Sequence, residues 1–178
     1  MVPEAPLEDT GQGLIPTGEG WFLVSTKKAR WRAGEQRGQL AFFEGSAEFW
    51  EIGVNVSVLG PGEPMAMYHY ENDQEDFLVL SGEALLIIEG QERALRAWDF
   101  VHCPAGTDHV IVGADSGPCV VVSVGSRVHA EGDWGAYTVD ATALEHGAGV
   151  EVPTKDMNEA YARFPEMRFT RYEEGWLP

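Results

Sequence analysis

Basic residues are scarce in this 178-residue sequence: 12 Lys and Arg stand against 29 Asp and Glu, a formal charge of −17. A surface so acidic repels phosphate backbones and anionic headgroups, which argues against nucleic acid and membrane as partners. Cysteine is scarcer still. Cys103 and Cys119 are too few for a disulfide scaffold, and there is no C-x-x-C pair to hold zinc or exchange electrons. They read as small buried hydrophobes of a reduced, cytoplasmic protein. No apolar run approaches the ~18 residues that a spanning helix needs. Residues 1–13 are acidic, without an apolar stretch, and do not read as a secretory signal. An alternating strand–helix rhythm is also missing, which disfavours a doubly wound sheet.

Glycine and proline are plentiful, with 21 and 10 residues, and they fall between short apolar runs. Gly60-Pro61-Gly62, Asn72-Asp73, Ser81-Gly82, Glu89-Gly90 and Pro104-Ala105-Gly106 punctuate residues 60–125. Turn signals spaced about 8–12 residues apart indicate a β-sandwich or barrel. Upstream, residues 21–26 and 40–44 are apolar and β-prone. Ile52, Val54, Val56 and Val58 alternate with Gly53, Asn55, Ser57 and Leu59, the period of a half-buried strand. The chain thus divides into a flexible N-terminal arm (residues 1–19), an all-β barrel (20–128) and a C-terminal extension (129–178). In the extension, Asp140 is placed to cap a short helix that ends at Gly147. Asp156 and Glu159 have capping-box spacing, and Met157, Ala160, Tyr161 and Phe164 form one apolar face, so residues 156–164 are expected to be an amphipathic helix.

The chemistry concentrates between residues 68 and 109. His69 and Glu71 are two apart in a strand-like run and so share a face. Glu75 follows after a turn, and His109 begins the strand after Pro104-Ala105-Gly106. Two imidazoles and two carboxylates converging inside a closed sheet would suit a divalent transition metal such as Zn, Fe, Mn, Ni or Co. Met67 shares the parity of His69 and is a pocket candidate, whereas Tyr68 and Tyr70 face an outer layer or a partner. His102 reads as structural, His129 and His146 as surface residues, and Cys103 as a buried inert thiol. The cluster Lys27, Lys28, Arg30, Arg32 and Arg37 reads as a solvated strand edge, with a residue folded over the barrel mouth as the alternative. Residues 38–92 contain eleven acids and no Lys or Arg, so no anion-binding pair is expected beside the ligand strands.

This stretch resembles the cupin superfamily. The first cupin motif, G-x(5)-H-x-H-x(3–4)-E-x(6)-G, reads here His69-x-Glu71-x(3)-Glu75-x(6)-Gly82. The second, G-x(5)-P-x-G-x(2)-H-x(3)-N, reads Pro104-x-Gly106-x(2)-His109. The resemblance covers roughly residues 40–125. It implies a jelly-roll-like β-barrel with an N-terminal strand arm and one or two short C-terminal helices, a central divalent metal, and commonly a homodimer. It carries metal ligation to His69, Glu75 and His109. Glu71 stands where the family usually has its second His, Trp98 replaces a Gly, and Gly113 replaces the Asn. Glu71 is then either a fourth ligand or a neighbour that orients a His and acts as general base. With Glu71 as a ligand, two carboxylates would neutralise a divalent ion, a weaker Lewis acid than one held by three His and one Glu. The implied functions are a metal-dependent oxygenase, isomerase or lyase acting on a neutral or chelating small molecule, or a non-catalytic binding or sensing module.

Overall fold

The computed structural model describes residues 1–129 and 133–178; residues 130–132, part of the expected C-terminal extension, lie outside the described residues. Short strands follow the turn spacing closely. They are β1 (Leu7–Asp9), β2 (Leu14–Pro16), β3 (Arg30–Gly34), β4 (Arg37–Phe42), β5 (Ile52–Leu59), β6 (His69–Glu71), β7 (Glu75–Ser81), β8 (Glu83–Ile88), β9 (Gln91–Arg96), β10 (Phe100–Cys103), β11 (His109–Gly113), β12 (Cys119–Ser126) and β13 (Gly135–Tyr137). Two single-turn helices, α1 (Ala141–Glu145) and α2 (Met157–Ala160), precede the last strand, β14 (Arg168–Thr170).

Two antiparallel sheets face each other, as the all-β barrel expectation requires. One has seven strands in the order β10-β7-β12-β5-β4-β3-β14; the other has five, β13-β6-β11-β8-β9. Between them lies a cluster that includes Leu59, Phe77, Val79, Leu86, Val101, Ile111 and Val121. Each such side chain, fully buried, contributes about 1.5–3 kcal/mol. Gly82 of the first motif turns β7 into β8 at a φ of +74°, and a Cβ there would lie 2.4 Å from the Pro118 carbonyl oxygen. Only glycine meets both demands. Trp98, at the position of another motif glycine, adopts the same left-handed region with a φ of +76°. No described helix is long and apolar enough to cross a membrane.

Both sheets are covered on their outer faces by the chain's own ends. Trp31, Ala41, Val56, Val58 and Val120 pack under Tyr172, Trp176 and Leu177 of the C-terminal tail. Tyr68, Ile87, Val110 and Val112 pack under Ala143 of α1 and Ala148. Strand β5 is therefore buried on both faces, where alternation suggested one.

Other departures have local causes. Residues 1–19 are not featureless: β1 and β2 form a hairpin, and the Leu14 amide donates to the Lys28 carbonyl at 2.8 Å. Residues 21–26 form no strand; Trp21 makes only an isolated bridge to Glu4. The second helix is one turn long, and Glu159 accepts from the Thr154 hydroxyl instead of completing a capping box. Asp140 and Asp156 are both N-caps, as their spacing suggested. The basic cluster is not a bare edge. Arg30 stacks on Phe169 of β14 at 4.2 Å and Arg37 on Tyr161 at 4.0 Å.

Candidate functional site

The barrel topology brings the motif residues together from both sheets. In the five-stranded sheet, His69 of β6 lies directly opposite His109 of β11. Cross-strand partners project to one face, here the barrel interior. Glu75 opens β7 in the other sheet and completes the cluster. One ligand atom from each of the three lies within 4.8 Å of the others. The Gly106 amide donates to the Glu71 carbonyl at 2.7 Å, which ties the second motif's turn to the first motif's strand.

The imidazoles are held in one orientation. Nδ1 of His69 lies 2.7 Å from the Met67 carbonyl, and Nδ1 of His109 lies 2.9 Å from the Thr107 carbonyl. A carbonyl only accepts, so each Nδ1 carries the hydrogen and each neutral ring presents its Nε2 lone pair to the centre. Those nitrogens face a carboxylate oxygen: Glu75 Oε2 is 3.5 Å from His69 Nε2 and 3.3 Å from His109 Nε2. The contact to His109 does not have hydrogen-bonding geometry, and both atoms are buried without a hydrogen-bond partner. Three acceptors facing one another in a buried space repel unless something positive lies between them.

The protonation equilibria point the same way. Burial opposes a charge on His109, but the adjoining Cys103 thiol and the Glu75 carboxylate outweigh it and move the imidazole up. Burial alone would raise Glu75; His109 and His69 instead hold it below the usual carboxylate range. The centre thus stabilises one positive charge, either a proton or a metal ion. Glu71 is different. Burial and the nearby Glu75 charge push its carboxyl up to about 7. Its Oε1 is 3.9 Å from His69 Nε2, its side chain is 29% exposed against 15% for Glu75, and it is not one of the three clustered ligands.

The cluster lies in a cavity of about 720 Å³, within the usual span for a small-molecule site. Met65, Phe77 and Ile111 supply apolar wall. Met67 does not line it, contrary to the parity argument. Regular strand begins only at His69, so alternation cannot be extended back to Met67, which packs with Tyr137 and Val150 instead. Tyr68 is buried on the outer side under α1, so its cover comes from this chain. Sequence reasoning missed Asn55, Ser57 and Ser123 on the cavity floor, and Trp134, Tyr137, Lys155, Met157 and Tyr161 from the extension. Burial and the Tyr161 phenol push the Tyr137 hydroxyl above its ordinary range, which keeps it a neutral donor. The remaining histidines lie elsewhere, each beside an acid: His102, read as structural but exposed, with Asp76, His129 with Asp73 and His146 with Glu92.

Comparison with known proteins agrees with this architecture. Residues 55–125 match the Cupin domain family. An uncharacterised double-stranded β-helix protein from Klebsiella pneumoniae superposes with a TM-score of 0.51 at 23% identity, over 61% of this chain and 92% of that one. The polyketide cyclase RemF from Streptomyces resistomycificus also gives a TM-score of 0.51, at 13% identity over 62% of this chain and 87% of its own. A candidate sugar phosphate isomerase from Acidithiobacillus ferrooxidans is 26% identical, with a TM-score of 0.43. That match takes in 47% of this chain and only 53% of the isomerase. No protein of curated function matches the chain.

Proposed function

We propose that this chain, whose residues 55–125 match the Cupin domain family, binds a divalent transition metal and presents it to a small chelating molecule in the barrel cavity. The observation that carries this reading is the pair of buried atoms without hydrogen-bond partners, Glu75 Oε2 and His109 Nε2, facing the His69 imidazole. A neutral-imidazole and carboxylate donor set fits Zn, Fe, Mn, Ni or Co. His69, Glu75 and His109 would hold the ion, which when bound supplies Lewis-acid polarisation of a chelated oxygen.

The chain's own residues supply the rest. Glu71, beside the ligands and more exposed than Glu75, is placed to accept a proton from a bound molecule as general base. Tyr137, the cross-strand partner of His69 with the two rings 5.9 Å apart, can donate a hydrogen bond to a bound molecule. Phe77 packs against His109 at 5.2 Å between ring centres and keeps bulk water from its far side. Proton abstraction within an isomerase, lyase or oxygenase reaction is the chemistry this arrangement supports. The second reading is a non-catalytic binding or sensing barrel, since the same cavity would serve either role. Exposed Trp98 and Phe100 beside the β10 edge fit a homodimer contact, and two buried free thiols fit a reducing cytoplasm.

Elemental analysis of untagged protein tests the central claim. About one divalent ion per chain is expected. Full loading of a His69→Ala, His109→Ala double variant would overturn the assignment.

A further inference from the structure

The cavity wall opposite His69 and His109, on the sheet that also carries Glu75, is polar in a way the fold does not require. Asn55 and Ser57 alternate with the valines of β5, and Asn55 lies directly across from Ser123 of β12. All three line the cavity, and Ser57 is 2% exposed. A barrel interior at such positions normally takes Val, Ile or Leu. The side-chain hydrogen bonds nearby run from Tyr161 to the Met67 amide and from the two imidazoles to backbone carbonyls. Among the described residues, none of these reaches Asn55, Ser57 or Ser123. Polar side chains that line a cavity, Ser57 buried and Asn55 and Ser123 half-buried, are positioned for partners in a ligand.

The second observation is Lys155. It lines the same cavity on its open side, although the strands carrying the ligands have no basic residue. Its backbone is fixed from both directions. Thr154 exchanges two hydrogen bonds with Tyr137, and Tyr137 pairs with His69 in the next strand. Two strand spacings, about 10 Å, therefore separate the His69 backbone from that of Thr154. The acids next to Lys155 are engaged elsewhere: Asp156 caps α2, and Glu159 accepts from the Thr154 hydroxyl. The lysine is thus free to meet an anion.

Resting on the metal-binding reading above, we propose that the cavity selects a small hydroxy acid. An oxygen-bearing end faces the metal ligands, hydroxyls lie over Asn55, Ser57 and Ser123, and one carboxylate is held by Lys155. A single carboxylate is specified because one ammonium faces the cavity, while a chain of charge −17 repels polyanions. Phosphate esters are disfavoured, because among the described residues Lys155 is the only Lys or Arg lining the cavity.

Calorimetric titration of zinc-loaded protein with glycolate, lactate and gluconate tests this, using ethylene glycol, propane-1,2-diol and sorbitol as neutral matches and inorganic phosphate as a control. At least one acid should saturate, about tenfold tighter than its neutral match, the size of one charge-assisted hydrogen bond. Lys155→Met should abolish that preference with zinc content unchanged, and Lys155→Arg should retain it. Ser57→Ala should weaken the acid and the neutral match together. If none of the three acids saturates, if phosphate binds better than all of them, or if the preference survives Lys155→Met, the inference is wrong. Zinc content of the same samples separates the two claims. A Lys155-dependent preference in protein that cannot hold zinc would sink the metal reading alone. Stoichiometric zinc with no acid preference would sink this inference alone.

Discussion

Two kinds of histidine–acid grouping occur in this molecule, and their difference separates a site from a surface pair. His102 lies 2.6 Å from Asp76, closer than any contact in the barrel centre, yet its side chain is 51% exposed. There the carboxylate binds Nδ1 and water can reach the rest of the ring. At the centre, His69 and His109 have side chains 9% and 2% exposed, and backbone carbonyls bind both Nδ1 atoms. The Nε2 atoms are thereby turned inward onto Glu75, and neither Glu75 Oε2 nor His109 Nε2 has a hydrogen-bond partner in the protein. A short distance indicates that a pair is satisfied. The longer, unsatisfied distances at the centre indicate a missing positive charge.

The sharpest way to break this comparison is to remove the inward imidazoles. The His69→Ala, His109→Ala double variant should drop from about one metal per chain to none, read by elemental analysis of protein whose β-sheet circular dichroism is intact. A metal concentration of 100 Kd should stabilise the wild type by about 2.7 kcal/mol, which is a rise in Tm of about 5–10 °C for a domain of this size. The double variant should show no rise. Glu75→Gln comes next. It keeps the shape but removes the charge that both imidazoles face, and metal affinity should fall by about a hundredfold or more, with the β-barrel spectrum unchanged. Unaltered affinity would mean that Glu75 only orients the imidazoles.

Glu71→Gln should have a smaller effect and decides the role of the second carboxylate. With Glu71 outside the ligand set, metal content should stay near one per chain and affinity should fall by about tenfold, within the range for groups that act through a ligand. If Glu71 instead coordinates directly, the loss should equal that of Glu75→Gln. Its position at the cavity rim, 3.9 Å from the nearest His nitrogen, favours the smaller effect.

Much of the centre was legible because a short motif fixes it locally. Spacing brought His69, Glu71, Glu75 and His109 towards one point, and the motif resemblance singled out His69, Glu75 and His109, each at the start of a strand that follows a turn. What failed was long-range. Alternation in residues 52–59 was real, but period alone does not say which face is inward. Val56 and Val58 lie under the C-terminal tail, while Asn55 and Ser57 face the cavity. Lys155 was invisible for the same reason. It follows the barrel by about thirty residues and reaches the cavity only through the bridge between Thr154 and Tyr137. His129 and His146 were expected at the surface and are exposed there, whereas His102, read as structural, is exposed on the edge strand β10. Met67 was misplaced because parity was extended beyond the end of a strand only three residues long.

The smallest expected effect completes the comparison. His102→Ala removes the shortest His–carboxylate contact described, and a ranking by distance would make it the most costly of these changes. Its exposure argues the opposite. An exposed ion pair is weakened by solvent and by the entropy of holding two side chains together, and β10 stays anchored by Val101 and Cys103, which are 8% and 2% exposed. Chemical denaturation should show a change within about 0.5 kcal/mol, and metal content should equal that of the wild type. A loss of metal on His102→Ala would show that the surface pair communicates with the centre through Cys103, the neighbouring residue in β10 and the thiol that adjoins His109. Burial and orientation would then no longer suffice to tell the two groupings apart.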